Sequence, residues 1–411
     1  MTSQIHQSFA ALRIPAFRIL VITFLLTMMA DNIEHVISYW MMFQKFHSPA
    51  LGGFAVISHW LPFLVFSVPA GALADYVDPR RLIQIGLILF ITCSLSWGYL
   101  FITDTLELWE AVSLLVLHGC SGVLWQTATQ IILYDVVGKE NLPSGIRILA
   151  TTRYLGLLVG PAIGALIMLG AGPEFGIILN ACFYLPNLIW LINAPCGPKF
   201  RTAVIAIPRA FRGFKDIHLT AKEIRQEHKI TSMILMAGAA SFFIGNSYQA
   251  QMPGFANDLG HGDPGILYSM LLAADAAGAL IAGLILESKG GILKTTPKTA
   301  LVIAVLWCSS LLCFALSKEY LLALVFLFIG GFFELSFNSM AQTIVQLNAP
   351  LEIRGRVIGL FNMSALGMRA GAGITVGLMG GLIGIHWSLA ISALCLILVT
   401  SGLFLRFQHR I

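Results

Sequence analysis

Apolar residues run through this chain in stretches of about twenty or more, the length a helix needs to cross the hydrocarbon core of a bilayer. The stretches fall near 17–43, 50–77, 82–102, 106–136, 144–170 and 175–194, then near 231–257, 264–288, 297–316, 319–348, 355–383 and 386–407. Several exceed the minimum, which permits tilt or extension into water. They are too long for barrel strands and lack the two-residue alternation of such strands. The pattern predicts an all-α integral membrane protein with twelve transmembrane helices.

The polar gaps organise the chain further. The single long one, about 195–230, is rich in Pro and basic residues and separates two sets of six spans. The expected layout is an N-terminal segment 1–16, a six-helix bundle 17–194, a central loop 195–230, a second bundle 231–407 and a tail 408–411. The two halves repeat one another weakly. Gly71 before Asp75 matches Gly283 before Glu287, and Gln126 and Gln130 match Asn338 and Gln342, all at an offset of 212. Arg147 matches Arg356 and Gly164 matches Gly373 at 209. Two like bundles suit a transporter whose site lies between them and is exposed to each side in turn.

Composition agrees with a lipid setting. Charged residues are 11% of the 411 and hydrophobic ones 57%, whereas a soluble domain carries roughly 25% charged residues. The net charge of +5 acts as a topology signal and implies no nucleic-acid partner. Of the 25 basic residues, Lys45 and Lys318 fall on one side, and Arg153 and Arg369 lie within spans. The others gather on the side that carries both termini and the central loop. The positive-inside rule makes that side, with both termini of this multi-pass chain, cytoplasmic. Residues 1–16 lack a signal-peptide pattern. The seven cysteines include no Cys-x-x-Cys, and Met28-Met29 and Met41-Met42 suit gap filling better than soft-metal binding. No metal site and no cofactor are expected, and a monomer is.

Two motifs carry a family resemblance. Gly71-Ala-Leu-Ala-Asp75-Tyr-Val-Asp-Pro-Arg80-Arg81 resembles the loop between the second and third helices of the major facilitator superfamily, with Tyr76 and Asp78-Pro79 as departures. Gly156-Leu-Leu-Val-Gly160-Pro161-Ala-Ile-Gly164-Ala165 in the fifth span resembles a pattern associated with exporters of that superfamily. Gly138-Lys-Glu-Asn-Leu and Pro350-Leu-Glu-Ile-Arg354-Gly-Arg356-Val-Ile-Gly359 resemble the enterobactin-exporter and macrolide-efflux branch. The resemblance implies two pseudo-symmetric six-helix bundles and proton-driven export of a siderophore, drug or similar amphipathic small molecule. An importer of a small polar solute and a transporter-like receptor stay open. No P-loop, His-Glu-x-x-His or Gly-x-Ser-x-Gly pattern points to an ATPase or an enzyme.

Ionisable residues inside spans are costly and therefore mark candidate sites. Asp31, Glu34 and His35 lie three and four apart on one face of the first span, and are candidates for proton coupling or for a structural network. Glu334 in the tenth span and Asp275 in the eighth are further coupling candidates, with a static bridge from Glu334 to Arg369 as the plainer alternative. Gln126 and Gln130, and Asn338 and Gln342, are each four apart and form polar stripes. The resemblance implies that these stripes, with Asn246 and Gln249 of the seventh span, line a central cavity. Arg369, His59, Trp60, His118 and Trp125 are further wall candidates. Asp75, Arg80 and Arg81, with Gly71, are read as a gating cluster that makes and breaks with conformational state and takes Arg147 or Arg153 as partner. Gly160, Pro161 and Gly164 are read as a close, pivoting helix contact.

Overall fold

A computed structural model describes residues 8–47, 49–197, 210–245, 247–260, 264–288 and 293–407. Among these residues all regular structure is helical. Eleven helices are long and apolar enough to span a membrane. The longest, Leu108–Ala171, is two spans joined end to end: Gly138 adopts φ 71° and ψ 170°, outside helical space. The chain folds back there, because Gly145 packs on Leu133 and Val137, with only 3.1 Å from a Cβ built on Gly145 to Leu133 Cδ1. Residues 108–137 are therefore the fourth span and 139–171 the fifth, which restores the twelve expected from the hydropathy pattern.

The other spans of the first bundle are Pro15–Phe46, Pro49–Tyr76, Pro79–Ile102 and Pro173–Asn193. Those of the second are His228–Phe243 with its continuation to Leu259, Pro264–Ser288, Pro297–Leu316, Tyr320–Asn348, the run from Arg354 to Ile383, and Ile385–Phe407. Helix starts follow local chemistry. Asp78 accepts a bond from the Arg80 backbone N–H ahead of Pro79, and Glu107 and Glu110 form a reciprocal capping pair before the fourth span. Each such bond satisfies one of the free N–H groups at a helix start. Apolar side chains such as Ile22, Leu169 and Leu398 stay exposed on the outer surface, as lipid contact requires. The eleventh span is irregular, with π-helical turns at Met363–Gly367 and Gly373–Leu378 on either side of Arg369. Such turns re-aim side chains and often mark working segments of a helix.

The two bundles meet through the second and eleventh spans, the fifth and eighth, the fifth and tenth, and the fourth and eleventh. Gly71 and Gly355 allow the closest approach: a Cβ on either would strike the other's carbonyl oxygen. The central segment contributes a helix, Lys215–Ile224, whose Asp216, Thr220 and Ile224 are buried four residues apart. That stripe faces the protein. Hydrogen bonds, ion pairs and ring contacts join the two bundles from the face bearing the termini up to the level of Trp60 and Arg369. These contacts close the molecule at the terminal face.

Candidate functional site

The first span carries Asp31, Glu34 and His35 to mid-membrane depth, where one further residue gathers the acids. His118 of the fourth span places Nε2 2.9 Å from Asp31 Oδ1 and Nδ1 2.8 Å from Glu34 Oε1. The rest of the Glu34 carboxylate accepts a bond from Ser94 of the third span, and Asn180 of the sixth donates to Ser94 Oγ at 3.3 Å. Asn180 also donates to the Ala30 carbonyl at 3.0 Å. The Glu34 side chain is 2% exposed and that of Asp31 16%. His35 packs tilted against His118 and edge-on against His59, with ring centroids 4.8 and 4.9 Å apart. Three imidazoles and two carboxylates thus share one centre. His118 bridges both acids, and no Lys or Arg pairs with either among the described residues.

The second bundle holds a separate pair. Tyr248 Oη lies 3.0 Å from Asp275 Oδ2 and 3.3 Å from Glu334 Oε2, so one hydroxyl joins the two acids. Gln249 Nε2 donates to Asp275 at 2.9 Å. Sequence treated Asp275 and Glu334 separately; the structure brings them together. Arg369 forms no ion pair with Glu334 among the described residues. Its guanidinium stands 4.6 Å from the centroid of Trp60 in the second span, with Nε buried and unpaired. Tyr154 and Arg369 face Glu334 from the fifth and eleventh spans.

Between these centres and the terminal face lies an amide layer. Gln130 Nε2 donates to Asn362 Oδ1 at 3.1 Å, and Asn362 Nδ2 donates to Thr127 Oγ1 at 3.3 Å. Gln126 keeps a buried, unpaired Nε2. Asn338 and Gln342 are half-buried on the tenth span. Asn246 lies outside the described residues.

The terminal face is locked twice. Asp75 accepts bonds from the backbone N–H of Gly355 at 2.6 Å and of Arg356 at 3.2 Å, and from Arg356 Nη1 at 3.1 Å. Arg356 Nε reaches Asp216 at 3.1 Å, tying the central helix to the lock. In the other half Glu287 pairs with Arg147 Nη2 at 2.7 Å and accepts a bond from Ser144. These are the residues that matched in the internal repeat, Asp75 with Glu287 and Arg147 with Arg356. The repeat therefore reports two equivalent ion pairs, each joining one bundle to the other. Neither Arg147 nor Arg153 is the partner of Asp75. Arg80 instead binds Asp78 and the Ala194 carbonyl, 3.1 Å away, within its own bundle. Gly160 and Gly164 pack on the first span, where a Cβ would stand 2.8 Å from Asn32 Cβ and 3.3 Å from Ile33 Cα respectively.

Sequence reasoning missed the bridging role of His118, the lock at Glu287, and Asn362. The 212-residue offset between Asp75 and Glu287 was the signal for the second. Nothing local marked the other two, because their partners lie on other spans.

A family described as transmembrane secretion effector matches residues 6–410. The enterobactin exporter EntS of Shigella boydii is 23% identical over 343 residues, 82% of this chain and 77% of that protein. The staphyloferrin A transporter of Staphylococcus aureus is 24% identical over 256 residues, 60% of each chain. A putative multidrug resistance protein, MdtD of Cronobacter sakazakii, matches over 36% of this chain and 28% of its own length. The chain thus spans less than two thirds of some relatives it matches. Among solved structures, the major facilitator transporter FucP in its outward conformation superposes with TM-score 0.74 at 14% identity, covering 97% of this chain and 99% of that one. A bacterial homologue of the iron transporter ferroportin, outward-facing, gives 0.70 at 14%, covering 96% and 100%. Motif, twin bundles and whole-length match agree, and the chain belongs to the transmembrane secretion effector family of major facilitator transporters, related to siderophore and drug transporters.

Proposed function

We propose that this protein is a proton-coupled exporter of a siderophore or similar amphipathic small molecule, working by alternating access in a bacterial inner membrane with both termini cytoplasmic. The observation that carries this reading is the pair of equivalent locks, Asp75 with Arg356 and Glu287 with Arg147, which close the terminal face beneath the amide layer. A rocking carrier needs closures that can form on one side while the other is parted. The basic residues around those locks support a cytoplasmic terminal face. The amides at Gln126, Gln130, Asn338 and Gln342, with Gln249 and Arg369, suit a cargo with several polar groups. The acid pair Asp275 and Glu334 is the coupling element: two neighbouring buried carboxylates hold one proton more readily than two charges. The names of the relatives support the cargo class.

The test uses inside-out vesicles carrying the purified full-length protein and an inward-acid pH gradient. Enterobactin and staphyloferrin A, the compounds in the names of its relatives, are offered outside. Gradient-dependent accumulation that a protonophore collapses is the expected result. Accumulation only in right-side-out vesicles makes the protein an importer. Movement of neither compound in either orientation, with the vesicles demonstrably sealed, rejects this cargo class.

A further inference from the structure

We infer that Asp31, His35, His59 and His118 form a binding site for a divalent first-row transition-metal cation within the first bundle. One ligand atom from each residue, a carboxylate oxygen and three imidazole nitrogens, lies within 4.8 Å of all the others. Tetrahedral coordination with bonds of about 2.0–2.1 Å sets donor atoms about 3.3 Å apart. His118 Nε2 and Asp31 Oδ1 already stand 2.9 Å apart, and the widest pair, within 4.8 Å, must approach by up to about 1.5 Å to close the set. Three nitrogens and one oxygen suit zinc, iron, cobalt or nickel ahead of magnesium or calcium, which prefer all-oxygen sites.

Three features favour a metal over a plain buried network. First, the ligands come from three elements: the first span presents Asp31 and His35 one turn apart, the second supplies His59 and the fourth His118. Second, the outer shell is in place. Glu34 holds His118 Nδ1 at 2.8 Å, and Ser94 and Asn180 hold Glu34. That contact fixes the ring and leaves Nε2 facing Asp31, the carboxylate–histidine arrangement found behind metal-ligating imidazoles. Third, His59 Nδ1 is buried without a hydrogen-bond partner among the described residues. A buried polar nitrogen left unmatched calls for a reason, and a bound cation supplies one. Asp31, His35 and His59 are each half-buried, which leaves a path for the ion. The four ligands together follow no metal-binding sequence motif; only folding assembles them.

The proposal concerns binding alone and stands apart from the direction or cargo of transport. The experiment takes the full-length protein in detergent, with any purification tag removed and metals stripped. Cobalt(II) chloride and zinc chloride are the probes. We expect about one ion per chain, and cobalt to show the intense visible absorption of a four-coordinate nitrogen and oxygen site. His59→Ala and His35→Ala should each weaken zinc binding by at least tenfold. Glu34→Gln, which touches no ion, should weaken it by about 10–100-fold while keeping the stoichiometry. His386→Ala, next to Asp258 in the other bundle, should change nothing. Absence of zinc binding to the wild-type protein, or a cobalt spectrum of six-coordinate type, overturns the proposal. So does full binding by a monodisperse His35→Ala/His59→Ala variant. If that variant aggregates, the wild-type spectrum and stoichiometry alone decide.

Discussion

At the scale of single residues the protein concentrates its ionisable groups in two centres, and they differ in kind. In the first bundle both acids are satisfied by one ring, His118. In the second, two acids share the hydroxyl of Tyr248, and the nearest cation, Arg369, sits over Trp60. Two buried acids that share one donor and have no ion-pair partner among the described residues suit the proton-carrying role proposed for them. Glu334→Gln should therefore abolish gradient-driven uphill flux while leaving cargo exchange at equal pH within about threefold, since exchange moves no net proton. Counterflow measured beside uphill flux checks this; equal loss of both assigns Glu334 to cargo binding. Much of this chemistry was legible in the sequence, because an intramembrane Asp or Glu is rare enough to be noticed alone. Which acids act together was not legible. Asp31 and Glu34 share a helix face and could be paired by spacing. Asp275 and Glu334 stand on different spans, and only packing brings them to one hydroxyl.

At the scale of elements, small residues set how closely spans approach. Gly156, Gly160 and Gly164 lay one face of the fifth span on the first, against Met28, Met29, Asn32 and Ile33. That contact lies beside Asp31 and Glu34, so it positions the histidine centre as well as joining helices. Gly160→Leu forces overpacking here and should cost about 1–3 kcal/mol. Because the strain falls on the helix that bears the acids, transport should drop more than tenfold. Gly138→Ala is the informative contrast. Its site is open, with no atom within 4 Å of an added Cβ, and only the positive φ of 71° is strained. It should lower thermal stability by about 1–3 kcal/mol and leave transport largely intact. Melting curves with flux assays on both variants separate the two cases; equal transport loss would mean that the Gly138 turn moves in the cycle. Hydropathy located nearly every span within a few residues, since lipid demands long apolar helices whatever the tertiary structure. It could not foresee the π-helical turns of the eleventh span or the near-continuous helix around Gly138. Those depend on contacts that spacing does not encode.

At the scale of the whole molecule, the weak internal repeat has a mechanical meaning. Each bundle sends one acid, Asp75 or Glu287, from the end of its second helix to an arginine at the start of the partner bundle's fifth, Arg356 or Arg147. Both pairs are buried, with side-chain exposures of 8% or less for the acids and 12% or less for the arginines. Losing one partner of a buried pair costs about 3–5 kcal/mol, far above the ~0–1 kcal/mol of a surface bridge. The locks are not identical: Asp75 also accepts two backbone N–H groups, and Arg356 also holds Asp216 of the central helix. Removing the Asp75 charge should therefore open the terminal face more than removing that of Glu287. Accessibility of a cysteine placed at Gln130, in a background without the seven native cysteines, reads this directly. Labelling from the terminal side should be slow in that parent. It should rise modestly in Glu287→Gln, more in Asp75→Asn, and most in the double variant, by more than the two single effects combined, because either lock alone still holds the bundles together. Strictly additive rates would show that the pairs act independently. Unchanged labelling in the double variant would show that the glycine contact between the second and eleventh spans, not the ion pairs, keeps that face shut.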